Sequence, residues 1–153
     1  MISVDLTEQI SVITFGNIPF ESESDFIYSI FEAAARENIN VDMISKASVS
    51  TDRTSVGFTF MDEDMPRMLN VLSNVRFYRP PLVSCGNVKI LIKSDEMAGS
   101  AGFAMKVFAA LKNTGVTAIL ITTSADEISL MVRESDSREL AAELARRFNS
   151  FNN

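Results

Sequence analysis

The chain has 153 residues, 46% of them hydrophobic and 22% charged, with a formal net charge of −6 and a pI of about 4.7. That composition builds one medium or two small folded domains and excludes a disordered chain, while the acidic balance offers no basic face for nucleic acid. The absence of histidine, a single cysteine (Cys85) and six scattered glycines remove His-based triads, most zinc sites, an internal disulfide and a glycine-rich phosphate loop.

In chain order, Ile2–Leu6 is a short strand-like segment and Ile10–Phe15 is β-rich. An acidic, serine-rich loop follows, Glu21–Asp25, in which Ser22 or Ser24 suits a helix N-cap. Phe26, Ile27, Ile30, Phe31 and Ala34 then form one helical face, and Asn38 can end that helix in the left-handed conformation. Ile39–Ala47 and Thr54–Phe60 read as strands around the turn Ser50–Arg53. Asp62 or Asp64 caps a second helix with Pro66 in its first turn and Met65, Met68, Leu69 and Leu72 facing inward. Leu82–Cys85 is a fourth strand, with Cys85 as a small apolar residue on it.

The pattern then repeats. Val88–Lys93 is a strand, Gly102–Thr114 a helix closed by Gly115, and its face is Phe103, Val107, Phe108 and Leu111. Thr117–Thr123 and Glu127–Val132 form a hairpin across Ser124-Ala125-Asp126, and Asp136 or Ser137 starts a last helix with Leu140, Leu144 and Phe148 inside. A shift of 77 residues superposes Phe26 on Phe103, Phe31 on Phe108, Ala33 on Ala110 and Ile44 on Ile121, which marks an internal duplication. The second copy lacks a fourth strand, and the otherwise unused N-terminal segment can supply it, since an open edge would expose backbone donors. The expected organisation is an α+β fold of two βαββαβ modules with antiparallel sheets and helices on one face. The first module spans residues 8–86, the second residues 87–150, completed by residues 1–7.

Asn38-Ile39-Asn40-Val41-Asp42-Met43-Ile44, Met97-Ala98-Gly99-Ser100-Ala101-Gly102, and Thr122-Thr123-Ser124 followed by Ile128–Val132 are similar to the corresponding segments of the tandem ACT domains of aspartate kinases. The chain resembles that regulatory region over nearly its whole length. The resemblance implies two ferredoxin-like ACT modules that bind a free amino acid, lysine or threonine, and regulate a kinase. It implies a homodimer formed by side-by-side sheet pairing, with a kinase catalytic subunit as a further partner. Phosphoryl transfer, catalytic residues, cofactors and metals are not expected of this chain. No apolar run approaches the roughly 20 residues of a membrane span and Met1–Asp5 does not start a signal peptide, so a cytoplasmic protein is expected.

The resemblance places the effector near the loop after the first strand, the start of the first helix and the following strand of each module. The candidate contacts are Ser24, Asp25, Asn40, Asp42, Ser100, Gly102, Phe103 and Thr117. Ser100–Phe103 is small and uncharged at a helix start, which suits a carboxylate. Glu21, Glu23 and Asp25 would repel one and welcome a cation, or they simply stabilise their helix N-terminus. Asn40 and Asp42 either hold an ammonium or cap the strand edge at the dimer seam. The family's Pro-Asp-Lys-Pro-Gly loop is replaced by Glu-Ser-Glu-Ser-Asp at 21–25, so the alternative is a structural dimerisation protein whose ligand site has decayed. A mean hydropathy of +0.13 at 22% charge fits a chain that hides apolar surface by association.

Overall fold

A computed structural model describes residues 1–149; Ser150, the last residue of the second predicted module, lies outside them. The strands are β1 (Ile2–Pro19), β2 (Ile44–Ser48), β3 (Arg53–Met61), β4 (Leu82–Ser94), β5 (Leu120–Thr123) and β6 (Glu127–Arg133). The helices are α1 (Glu23–Arg36), α2 (Met65–Ser73), α3 (Phe103–Thr114) and α4 (Glu134–Asn149). The chain divides into two compact units: Gln9–Gly86, and Met1–Glu8 together with the chain from Asn87 on. The hydrogen-bonded strand order is β2-β3-β1 in the first and β4-β6-β5 in the second. This is the α+β, antiparallel, ferredoxin-like architecture that the sequence pattern implied.

Strand periodicity builds each core. Ile13 and Phe15 of β1 and Val56, Phe58 and Phe60 of β3 alternate onto one face, where Phe26, Ile30 and Ala34 of α1 and Met68 and Val71 of α2 cover them. Ring contacts tie the layer together: Phe15 lies 5.5 Å from Phe26 and Phe31 lies 5.1 Å from Phe58, distances at which aromatic pairs attract. In the second unit Val88, Ile90 and Ile92 of β4 and Ile128, Leu130 and Val132 of β6 meet Phe103, Val107, Ala110 and Leu111 of α3 and Leu140, Leu144 and Phe148 of α4. Ile2 and Val4 pack against this second core.

Several local expectations change. The predicted strand pairs Ile2–Leu6 with Ile10–Phe15, and Leu82–Cys85 with Val88–Lys93, are the single strands β1 and β4. Each turns at one left-handed residue, Gln9 (φ 59) and Gly86 (φ 66), 77 positions apart in sequence. The strand expected over Ile39–Ala47 begins only at Ile44. Before it, the Asp42 N–H donates to the Thr59 carbonyl and the Met43 carbonyl accepts from the Thr59 N–H, so two residues face one. The Met43 N–H bonds instead to Thr59 Oγ1 at 2.9 Å. This is a β-bulge, and it keeps Asn40 and Asp42 out of the regular ladder. The Thr117–Thr123 strand likewise starts at Leu120, although the Ile119 N–H already reaches the Met131 carbonyl at 2.7 Å.

Leu69 and Phe108, assigned to inner helix faces, are 56% and 54% exposed. Val71 fills the α2 position instead, because it lies three residues after the buried Met68 and shares its face, whereas Leu69 is turned about 100° from it. The last helix starts at Glu134 rather than at Asp136 or Ser137, and Ser137 Oγ donates to the Glu134 carbonyl from inside it. Asn38 (φ 54) and Gly115 (φ 71) both take the left-handed conformation after the first helix of their unit.

Candidate functional site

Each unit has one loop between its first strand and first helix. In the first unit, β1 loses register with β3 between Phe15 and Ile18, and Asn17 is left-handed (φ 58). A short 3-10 turn, Phe20–Ser22, then feeds α1. Ser22 stands at the N-cap without a side-chain capping bond. Glu23 makes a salt bridge to Lys46 of β2 at 2.8 Å, its side chain only 19% exposed. The acidic loop therefore holds a lysine ammonium from its own chain. Ser24 and Asp25 are exposed in the first turn of α1.

Asn40 and Asp42 are exposed on the segment that leads from α1 into β2. They follow the far end of α1, whose 14 residues span roughly 21 Å at ~1.5 Å per residue. So the first unit places its two predicted pairs, Ser24 with Asp25 and Asn40 with Asp42, at opposite ends of one helix. That far end is clasped by Arg67, which donates to the Glu37 carbonyl at 3.1 Å and pairs with the buried Asp64. A cation there also complements the helix dipole. Asp62 has a different task from capping: it accepts from Ser11 Oγ at 2.6 Å and from the Gly86 N–H, which fixes β1 and the left-handed turn of β4 to the start of α2.

The second unit splits its candidates in the same way. Ser100 and Gly102 are exposed before α3, Gly102 as its left-handed N-cap (φ 106), and Phe103 is core, 4.8 Å from the Phe148 ring. Thr117 follows the far end of α3. The first turn of α3 carries no acid, and a Cβ added at Gly99 or Gly102 would meet nothing within 4 Å. The loop is thus open and uncharged where its counterpart is acidic. Nearby, Ser94 is buried and its N–H donates to the Asp126 carbonyl at 2.8 Å. The Asp126 carboxyl is held below its usual range by a hydrogen bond from Ser124 and by Lys93.

At the far end of α3 lies a cavity of about 320 Å³, lined by Asn113, Thr114, Glu139, Ala142, Glu143 and Arg146. Glu143 accepts from Asn113, from Arg146 Nε at 2.9 Å and from Arg147 Nε at 2.6 Å. The hydrogen bond from Arg146, with Arg147 adding to it against desolvation, brings the Glu143 carboxyl down to about 2. Glu143 thus opposes charge to Arg146, which lines the cavity, and to Arg147.

Three residues outside the candidate contacts shape the first loop: Lys46, Gly16 and Arg79, the last of which reads in the sequence as part of a solvated basic spot, Arg76–Arg79. The signal for one was present, since Gly16-Asn17 after an apolar strand is turn chemistry. Among the described residues no group of His, Cys, Asp and Glu is placed to hold a metal ion, and no helix is long and apolar enough to cross a membrane.

Residues 90–148 match the ACT domain. An aspartokinase of Bacillus sp. (strain MGA3) is 27% identical over 135 residues, 86% of this chain and 32% of that protein; the chain thus spans about a third of that relative's length. The ligand-free regulatory subunit of aspartate kinase from Thermus thermophilus shares the fold with a TM-score of 0.82 at 22% identity, covering 95% of this chain and 96% of that one. Aspartokinase III of E. coli, in complex with lysine and aspartate, matches with a TM-score of 0.67 at 19% identity over 97% of this chain and 33% of that one. The second unit thus matches the ACT domain, and over most of its length the chain is similar to the ACT regulatory region of aspartate kinases.

Proposed function

We propose that the chain is an amino-acid-responsive allosteric module for an aspartate kinase, with lysine or threonine as effector, working as a homodimer on a kinase catalytic subunit. The observation that carries this reading is the end-to-end correspondence with a separate regulatory subunit, both units included. The chemistry of the loops supports it. The uncharged start of α3, with Gly102 left-handed, lets a carboxylate approach free backbone N–H groups and the positive end of the helix dipole. The acids at the start of α1 suit an ammonium. Met105 and Phe108, 63% and 54% exposed on α3, add apolar surface for association. Domains of this organisation, with residues 8–86 in one module and residues 87–150 with residues 1–7 in the other, would place a loop of each kind in one chain.

Calorimetric titration with L-lysine, L-threonine and L-methionine tests the reading. Saturable binding of at least one is expected, with a rise in melting temperature that grows with ligand; at 100 times Kd the stabilisation is about 2.7 kcal/mol. No heat and no melting shift with all three overturns it. The Lys46–Glu23 pair favours the second reading, a dimerisation module whose ligand site has decayed, because the chain's own ammonium fills the acidic loop. A stable dimer whose melting no amino acid changes is the result that reading requires.

A further inference from the structure

In the first unit, Gly16 sits at the β1 bulge, and a Cβ built on it would lie 3.1 Å from Arg79 Nη2, 3.3 Å from Cζ and 3.5 Å from Nε. Three guanidinium atoms at nearly equal distance mean that the plane of the group lies against the glycine. The N–H groups of a guanidinium project from its edge, within that plane. They are therefore turned away from the backbone that the face covers. No carboxylate among the described residues forms a salt bridge with Arg79. Its neighbours in sequence hold it in place: Phe77 lies 6.0 Å from Phe15, and Tyr78 meets Phe26 edge-on at 5.5 Å. Gly16 and Asn17 have no partner in the β3 register, so β3 does not claim this stretch of backbone.

We propose that Arg79, laid face-on against Gly16 at the β1 bulge, is the receptor for a small carboxylate in the first unit, the α-carboxylate where the ligand is an amino acid. A planar fork with uncommitted donors binds a carboxylate through two parallel hydrogen bonds. Anchoring by Phe77 and Tyr78 removes part of the ordering cost of an exposed arginine. Glycine at position 16 then serves the site as well as the turn, because a Cβ there presses on the guanidinium from 3.1 Å and displaces it from its seat. The acids at the start of α1 supply the opposite pole for an ammonium. The assignment of the α-carboxylate rests on the function proposed above; carboxylate binding by Arg79 does not.

The test is titration of the full chain with acetate, followed by the Nε–H resonance of Arg79 in a nitrogen-15 spectrum, for wild type, Gly16→Ala and Arg79→Ala. A saturable shift of that resonance is expected in wild type. In Gly16→Ala, where a flexible side-chain end is all that must move, the affinity should fall about tenfold with the fold retained in the remaining spectrum. Arg79→Ala should lose the acetate-induced shifts of Gly16 and Asn17. An Arg79 resonance that acetate does not move, or equal affinity in wild type and Gly16→Ala, overturns the proposal. L-threonine and L-lysine form the second arm. Acetate binding without amino-acid binding keeps the receptor and removes the proposed effector; amino-acid binding that Arg79→Ala leaves unchanged keeps the effector and removes the receptor.

Discussion

The two units share their backbone solutions and differ in their loops. Gln9 and Gly86, and likewise Asn38 and Gly115, take left-handed conformations at positions related by the same 77-residue shift, and in each unit two strands and two helices close over alternating apolar residues. Yet the first unit's loop is acidic and is met by Lys46 from β2 and Arg79 from the segment before β4, while its counterpart before α3 is small and uncharged. The clasp between helices differs too: Arg67 reaches the end of α1 from α2, whereas Glu143 of α4 takes the amide of Asn113 on α3. Core and turn positions answer to packing and backbone geometry, which two copies of a fold must both satisfy. Loop side chains answer to neither and are free to acquire separate chemistry.

The largest test of that parity is in the cores. Phe58 and Leu130 are both fully buried on the central strands β3 and β6, opposite Ile44 and Ile121 respectively. Phe58→Ala should cost about 3–5 kcal/mol and Leu130→Ala about 2–5 kcal/mol. Hydrogen exchange reads the location of the loss: each substitution should lower protection in its own unit first. Equal loss in both units after either change would mean that they unfold together, and the comparison of separate cores would break.

The next effect is on the backbone. Gly115→Ala should cost about 1 kcal/mol, because a Cβ disfavours φ 71, while Asn38→Gly should gain a few tenths. Gln9→Gly should stabilise by up to about 1 kcal/mol and Gly86→Gln should destabilise by about 1–2 kcal/mol. Chemical denaturation of the four variants checks both pairs. A Gly86→Gln variant as stable as wild type would show that the turn of β4 is not held where Asp62 grips it.

Much of this was legible in the sequence. Stripes such as Phe26, Ile30 and Ala34, or Leu140, Leu144 and Phe148, are buried as their spacing demands, because a 3.6-residue period has one solution against a sheet. The left-handed Asn38 and Gly115 were legible from residue type alone. Less visible was the continuity of β1 and β4: a polar stretch such as Thr7-Glu8-Gln9 looks like a loop, yet β1 runs through it with a single left-handed residue, Gln9. The bulge at Asp42–Met43 was hidden for a similar reason, since Thr59 Oγ1 replaces a backbone acceptor and no local pattern announces it. Among the site residues, the sequence named the acids of the first loop but not the Lys46 that answers Glu23, or the Arg79 that covers Gly16. Both depend on which strands and segments are brought together in space, and pairwise spacing carries no record of that.

Lys46→Met bears on the loops. Its ion pair with Glu23 is partly exposed, 45% on the lysine side, so the stability change should stay under about 1 kcal/mol. The informative readout is selectivity: with the internal ammonium gone, affinity for L-lysine should rise relative to L-threonine by calorimetry. An unchanged ratio would show that Glu23 does not face the effector and would confine the asymmetry of the loops to structure.

The smallest expected effect concerns the clasps, and its sign follows from protonation. Glu143 sits at about 2 in the folded unit against an ordinary value of 4.5, chiefly through the hydrogen bond from Arg146. A carboxyl with a depressed folded value stabilises fully above its unfolded value, and that contribution is lost as the pH falls from about 4.5 towards 2. Glu143→Gln keeps the shape and removes the titration, so its acid-denaturation profile should be flatter than wild type across that window and should converge with it at the acid end. Solvent exposure screens the interaction, which is why the difference should appear in the slope rather than as a large shift in midpoint. Arg67→Gln, in the other clasp, should lower stability at neutral pH, because it removes the donor to the Glu37 carbonyl and the partner of the buried Asp64. Parallel acid limbs for wild type and Glu143→Gln would place the grip of α4 on α3 in packing alone and make the two clasps alike after all.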